Sequence, residues 1–561
     1  MRHISTAFAP LKNSRAQLIS DVRAAWRMFS LVAELRKFLH DRLTLEQAEE
    51  RIKRTLESRA ENFLDVIRTR VYEYPSSPYL RLLKVAGCEY SDLRTQVRRY
   101  GLEATLQRLA EEGVYLTADE FKGKKQVLRR GQSFHVCPKD FARQDWSGGF
   151  VAQSSGTTNQ PVRFFGSLDW LSVRAPAIGV FLNAHNLLSA SHAICEPILP
   201  TGTGINNLLY NAKLGLKTDR WFSPKIGASS WVRREYYLFT TNLIVLAGRL
   251  SGHLLPRPEF IEVADLKSIV LWVAAQRCAG RSSCIKTTAS KAGRIASAAL
   301  EMGVPLTGVT FISGGEPFTD SKRECIEKAG ARAIPRYAHG GGINAGFGCA
   351  NPQYTDEVHV NTSVLALISD PRPLPQECSS IHPLLFTSLH QSAPTLLLNV
   401  QNGDYATLIQ RDCGCALEKI GFNLHLHSIR SFEKFTSEAM NYFYGDLFQF
   451  LERAIPSEFG GGPGDYQIVE EEDGQGQTRL SLVVHPAIGS LNEEKLLSRL
   501  YEHFGQGSRD NRLTSKIWQD AGTFRIIRRV PYASARGKIL PLHIARRTGK
   551  GASVFSRGSE S

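Results

Sequence analysis

The chain lacks the marks of several protein classes. Its longest plain apolar run, Ile269 to Ala275, is seven residues, far short of the roughly twenty that a membrane-crossing helix needs, so no membrane span is expected. No G-x-x-x-x-G-K pattern ending in Ser or Thr occurs, which removes the P-loop route to nucleotide phosphates. Zinc-finger, RNP and helix-turn-helix patterns are absent too. The formal net charge is +15 with a pI near 9.3, but the basic residues gather at the two ends: residues 1–40 hold seven Lys or Arg against two acids, and the last forty-one hold nine against one Glu. Nucleic acid is therefore not the expected partner. Ten cysteines occur without a secretory apolar segment, which points to reduced thiols and a cytoplasmic setting rather than a disulfide framework.

At 561 residues and 42% hydrophobic, the chain can bury a sizeable core and should divide into more than one domain. Residues 1–75 read as a helical N-terminal extension. Thr44 and Gln47 fit a capping box, Leu45, Ala48, Ile52, Leu56, Ala60, Phe63 and Ile67 recur at helical spacing, and Tyr74-Pro75-Ser76-Ser77-Pro78 ends the run. Over 76–430, strands alternate with helices, as in Lys286 to Met302 followed by Val309 to Ile312, which predicts an α/β core with βαβ units. Residues 431–561 read as a small α+β domain, with paired strands over 466–470 and 478–485 and an amphipathic helix from Asn492 to Phe504.

Ser154-Ser155-Gly156-Thr157-Thr158 sets small hydroxyl and glycine residues in a row. Such a loop lets backbone N–H groups approach an anion closely while the hydroxyls add donors, so it suits phosphate oxygens; the plainer reading is a surface loop. Downstream, Ser313-Gly314-Gly315-Glu316-Pro317 follows an apolar strand-like run, Tyr337 closes another, Leu384 to Leu389 precedes Asn402-Gly403-Asp404, and Arg536-Gly537-Lys538 lies near the end. In this order the segments resemble those of adenylate-forming ligases, in particular the phenylacetate–CoA ligase branch.

The resemblance implies an α/β core of the adenylate-forming type with a smaller mobile C-terminal lid, ATP and Mg2+ as cofactors, and an aromatic or fatty acid activated as an acyl-adenylate. It further implies transfer to a thiol, that of coenzyme A in the leading reading; a carrier protein or another nucleophile is the alternative acceptor. By the same resemblance, the backbone of Gly314, Gly315, Glu316 and Pro317 lies against adenine together with Tyr337. Asp404 holds the ribose hydroxyls, with Arg430 near them at the interdomain hinge, and Lys538 bridges the carboxylate and the α-phosphate. Chemistry gives these residues a purpose, because joining two anions calls for positive charge and directed donors rather than a general base. The basic tail around Arg525, Arg528, Arg529, Arg536, Arg546, Arg547 and Lys550 would attract an anionic acceptor, or simply confer solubility.

One position departs from the family pattern. Four residues after Tyr337, where the family has a magnesium-coordinating glutamate, stands Gly341, which keeps a non-catalytic nucleotide-binding reading open. The segment from Gly340 to Ala345 also fits G-x-G-x-x-A, but no acidic residue follows at the distance a dinucleotide fold requires. Cys349, His359, Cys413 and Cys415 are either buried thiols or, as in some relatives of the branch, a structural zinc set.

Overall fold

The computed structural model describes residues 30–143, 148–153, 163–224, 231–262, 265–339, 343–372, 382–431, 434–437, 440–443, 450–462, 465–472, 478–506, 509–532 and 542–544. Residues 30–40 form α1. The expected capping box opens α2 (Leu45–Glu57): Thr44 Oγ1 accepts from Gln47 N, and Gln47 Oε1 accepts from Thr44 N. The single long helix predicted from the apolar spacing breaks at Ser58, whose backbone (φ −88°, ψ 9°) leaves the helical region before α3 (Arg59–Ile67) resumes. Pro78 takes the first position of α4 (Pro78–Val85), where its missing N–H is no loss; α5 (Tyr90–Tyr100), α6 (Leu102–Glu111) and α7 (Ala118–Phe121) follow. These helices are built into the core's own packing. Phe63, Ile67, Leu83 and Leu106 share one buried cluster with Leu367, Phe386 and Leu397, while Ala48 and Ile52 pack with Phe181 and Leu209 in another.

Two hairpins come next, β1 (Val127–Arg129) with β2 (Gln132–Phe134) and β3 (Gly149–Gln153) with β4 (Arg163–Ser167). The core is then one twelve-stranded sheet. Its parallel half comprises β5 (Ser191–Cys195), β6 (Thr218–Pro224), β7 (Pro258–Ile261), β8 (Ser283–Thr288), β9 (Val309–Gly314) and β10 (Arg332–His339). Helix α8 (Leu168–Ala184) precedes β5, and α9 (Thr203–Lys213), α10 (Trp231–Leu250), α11 (Lys267–Cys278), α12 (Ala289–Glu301) and α13 (Asp320–Lys328) alternate with these strands. The rest is antiparallel: β11 (Ile343–Gly348), β12 (Val358–Val360), β13 (Leu365–Ser369), β14 (Pro383–Ser388), β15 (Val400–Gln410) and, after α14 (Ala416–Lys419), β16 (Leu424–Ser431).

Strand order is β13-β14-β15-β16-β12-β11-β10-β9-β8-β5-β6-β7. From β5 the chain steps outward through β6 and β7, then returns to the opposite flank of β5 with β8 and proceeds through β9 to β10. The order reverses between β5 and β8, and in such sheets the crevice beyond the carboxyl ends of the strands at the reversal receives ligands. One boundary differs from expectation here. The segment predicted as helix from Lys286 remains strand through Thr288, because β8 is fully buried between β5 and β9; Thr288 then caps α12, its Oγ1 accepting from Lys291 N at 3.4 Å.

After the hairpin β17 (Lys434–Ser437) and β18 (Met440–Phe443), and α15 (Ile455–Phe459), the C-terminal part folds around its own four-stranded sheet. Strands β19 (Tyr466–Glu472) and β20 (Thr478–Val484) pair antiparallel, α16 (Glu493–Gly505) starts from Asn492 as cap, and α17 (Arg509–Asp520), β21 (Phe524–Arg528) and β22 (Leu542–Ile544) complete it. The paired strands and the helix fall within a few residues of their predicted bounds. Leu480, Leu482, Leu500, Phe504, Trp518 and Phe524 form a separate core.

Candidate functional site

Adjacent parallel strands bring the 313–317 turn and Tyr337 together. Arg336 pairs with Gly314 in the β9–β10 register, so Tyr337 lies one step beyond the point where β9 ends. Gly314 is required by this approach, since a Cβ there would sit 2.9 Å from the Arg336 carbonyl oxygen, and Gly315 adopts φ +83°. Glu316 turns inward. Its Oε1 accepts from Ser290 N at 3.0 Å, its Oε2 accepts from the Ser290 hydroxyl, and Lys322 Nζ lies 3.6 Å away with both side chains fully buried. Lys322 Nζ also donates to the Pro317 carbonyl at 2.9 Å. The carboxylate thus pins the turn to the first turn of α12, which leaves the backbone of Gly314 to Pro317 as the surface the turn offers.

Tyr337 and Asp404 meet. The Tyr337 hydroxyl donates to Asp404 Oδ2 at 2.8 Å; Asn402 Nδ2 donates to that hydroxyl at 2.9 Å and to Asp404 Oδ2 at 2.7 Å, while Asp404 N donates back to Asn402 Oδ1 at 3.0 Å. Gly403 between them has φ +87°, which folds Asn402 back over its neighbour within β15. Burial, with the Asp404 charge second, holds the Tyr337 phenol well above its ordinary pKa, so it acts as a neutral donor. Asn402 is a member of this network to which the sequence alone assigned no role.

Arg430 is placed beside this group in the backbone, as Tyr405 pairs with Arg430 and Asp404 with Ser431. Its guanidinium is held elsewhere: Nη1 donates to Asp356 Oδ2 at 3.0 Å, and the same carboxylate accepts from the Ser428 and Ile429 amides at 2.9 and 3.0 Å. Ser428 has φ +55°, and the Asp356 contacts span that turn. Ser154, Ser155, Gly156, Thr157, Thr158, Gly341 and Lys538 lie outside the described residues. The strand leading into the first of these does not: a Cβ on Gly202, just before α9, would meet Ala152 of β3 at 3.1 Å, so β3 runs against the start of α9.

Cys349, His359, Cys413 and Cys415 converge, their ligand atoms all within 4.8 Å of one another. His359 Nδ1 donates to the Phe422 carbonyl at 2.6 Å, which fixes the tautomer and turns the Nε2 lone pair toward the thiols. Nε2 lies 3.2 Å from Cys415 Sγ and 3.6 Å from Cys413 Sγ; tetrahedral zinc with its usual bond lengths would set such a pair about 3.5 Å apart. Asn351 N and Arg411 Nη2 donate to Cys349 Sγ at 3.3 and 3.6 Å. Hydrogen bonding from Cys349, then from His359 and the Glu418 amide, pulls the Cys415 thiol well down. Glu418 holds the loop by accepting from the Cys413 amide at 2.6 Å and from the Gly414 amide. Four donors of this kind, closed on themselves and mostly buried, fit a structural zinc ion. Such an ion would tie the end of β11, which pairs with Tyr337's strand, to the segment following Asp404's strand.

No family model matches the chain, and no curated protein matches it either. Similar solved structures include 2-hydroxyisobutyryl-CoA ligase in complex with 2-HIB-AMP and CoA in the thioesterification state, at 14% identity and TM-score 0.49 over 87% of this chain and 89% of that one. A mutant of the amide bond synthetase McbA from Marinactinospora thermotolerans is similar at 12% identity and TM-score 0.36, over 87% and 97%. The anthranilate CoA ligase AuaEII in complex with anthranoyl-AMP is similar at 11% identity and TM-score 0.32, over 69% and 65%. Likenesses this distant leave the weight of any functional reading on the residues themselves.

Proposed function

We propose that this chain is an ATP-dependent ligase that activates a carboxylic acid as an acyl-adenylate, releasing pyrophosphate, and then passes the acyl group to a thiol, with coenzyme A the leading acceptor. The observation that carries the reading is the meeting of the 313–317 turn, Tyr337, Asn402 and Asp404 at one end of the sheet. Such a site offers a flat backbone surface for a base and a carboxylate that can take a ribose diol. The acid's carboxylate oxygen attacks the α-phosphorus, the bond to the β-phosphate oxygen breaks, and pyrophosphate leaves with its electron pair. Ser154 to Thr158 would hold the departing phosphates and Lys538 the charge developing between carboxylate and α-phosphate. With Gly341 where a carboxylate is expected, Mg2+ would ride on the phosphates and water, as it commonly does; its chemistry is to neutralise the departing pyrophosphate. The cysteine and histidine set would hold zinc and keep the Tyr337 and Asp404 strands in register.

ATP–pyrophosphate exchange over a broad library of acids tests the first half-reaction, and acyl-CoA formation the second. Exchange without acyl-CoA would transfer the acyl group to a carrier protein or another nucleophile. Gly341 favours a second reading, a non-catalytic nucleotide-binding protein. That reading predicts ATP binding by calorimetry with no exchange for any acid, and a function indifferent to Lys538→Ala.

A further inference from the structure

The crevice where the strand order reverses holds buried cations with no acidic partner in contact. Arg174 on α8 is only 3% exposed. Its Nε donates to the Trp170 carbonyl at 3.3 Å, and its guanidinium stands 5.1 Å from the Trp170 ring and 5.5 Å from the Tyr210 ring. Arg336, in the middle of β10 opposite Gly314 at the end of β9, donates through Nη1 to Asn207 Oδ1 at 3.1 Å, while its buried Nε has no hydrogen-bond partner. Lys286 of β8 is buried and donates to Asn211 Oδ1 at 2.5 Å, and Lys291 reaches the Cys195 carbonyl at 3.4 Å. Among the described residues, no carboxylate lies within ion-pair distance of any of these four.

The nearby acid is Glu196, immediately past β5; burial pushes its carboxyl up even though Lys291 and Arg336 oppose the shift. An unmatched donor lies in the same space, as Asn207 Nδ2 is buried without a hydrogen-bond partner, and the Tyr210 hydroxyl is engaged by Arg174. A buried guanidinium without a carboxylate is costly, and so is each orphaned polar group. Lys291 and Arg336 act on Glu196, as does Glu316, whose carboxylate is already paired with Lys322, so Arg174 and Lys286 have no negative charge in contact.

We infer that this crevice receives the far end of the acid that the chain activates, and that this end is itself anionic: the substrate is a dicarboxylic acid whose second carboxylate lies between Arg174 and Arg336. The inference rests on the adenylation reading for the role of the near carboxylate, and on the crevice alone for the far one. Phosphate oxygens of ATP share the required chemistry and are the competing occupant.

Exchange kinetics on the full chain, with matched diacids and their half-esters, distinguish these. Diacids are expected to exceed half-esters in kcat/KM by roughly 100-fold or more, as a site built to pair a charged group discriminates against its absence. Arg174→Met should collapse that ratio and Arg174→Lys partly restore it, with the KM for ATP moving less than the KM for the acid. Asn207→Asp places a carboxylate on Arg336 from within, so it should raise Tm and depress the diacid ratio together, a pairing that a misfolded variant does not give. Half-esters equal to or better than diacids, or a rise in the KM for ATP larger than that for the acid, would overturn the inference. Where no acid supports exchange, the adenylation reading fails separately, and calorimetric titration of the chain with the same diacids decides the crevice. Binding that weakens at least tenfold in Asn207→Asp upholds it, and no binding by any diacid overturns it.

Discussion

Glu316→Gln isolates what the glutamate of the 313–317 turn does. Its side chain and that of Lys322 are both fully buried, with Nζ 3.6 Å from Oε2. The glutamine can keep the bond from Ser290 N through its carbonyl oxygen, and the Ser290 hydroxyl can turn to accept from the new amide, so shape and hydrogen bonds are nearly conserved. What is lost is the charge facing the ammonium. At an effective dielectric of about 20, two unit charges at this separation interact by about 5 kcal/mol, and breaking a buried pair by removing one member costs about 3–5 kcal/mol. Lys322 keeps the Pro317 carbonyl, which places the expected loss near about 3 kcal/mol. Urea unfolding followed by the fluorescence of the buried Trp170 and Trp221, extrapolated linearly to water, reads this loss. A change below about 1 kcal/mol would refute the reasoning, because it would mean that the carboxylate does not face Lys322 in solution. ATP affinity, measured where the variant is fully folded, should weaken only modestly, as the turn offers its backbone and not this side chain.

Further outcomes are expected. One zinc per chain should be found by metal analysis; Cys415→Ser should abolish it and lower Tm, and prolonged chelation should do the same to the unaltered chain. Lys286 is held down to about 8 by burial, with Arg336 adding to the effect. Its folded pKa lies below its unfolded one, so the unfolded chain binds the extra proton and stability contributed by this group rises as pH climbs from about 8 to about 10.5, by roughly 3 kcal/mol. Lys286→Met should flatten that rise in pH-dependent urea midpoints. Over the same range the KM for a diacid should increase, because the anion loses one of its cations. Lys538→Ala should reduce exchange by at least about 100-fold with an unchanged melting curve; an unchanged exchange rate would remove Lys538 from the chemistry.

Local signals were the ones most readily read from the sequence. Thr44 and Gln47 announce the start of α2 because a capping box is made within four residues, and the βαβ rhythm around Val309 follows from apolar period alone. Tyr337 and Asp404 stand out through the resemblance, but the bond between them requires the sheet to bend back from β10 through β11, β12 and β16 to β15, since four strand spacings would otherwise hold them about 19 Å apart, and no sequence spacing states that. Asp356 is similar: nothing near Arg430 in sequence marks it as the group that would bind that guanidinium. Lys286 reads in the sequence as the opening of a helix that runs to Met302. Burial of β8 on both flanks overrode that local appearance. Arg174 did leave a trace, as the lone basic residue in the apolar α8 segment. Its meaning came only when crossovers set it beside Tyr210, near Arg336.

The two halves of the candidate site differ in how their polar groups are satisfied, and the difference bears on how they would respond to ligand. Around Asp404 the network is already closed by Tyr337 and Asn402, so a nucleotide sugar must compete with bonds the protein makes to itself. Around Arg174 and Arg336 the groups are buried and short of partners, so an incoming anion relieves a cost that the free chain carries. A ligand that binds only the folded chain stabilises it by about 2.7 kcal/mol at one hundred times its Kd, whatever the source of its affinity. The contrast should therefore appear in the effect of substitution: Asn207→Asp, which supplies the missing charge internally, should raise the stability of the free chain and shrink the thermal shift produced by a diacid, while leaving the shift produced by ATP in place. Equal shrinkage of both shifts would assign the crevice to the nucleotide phosphates instead.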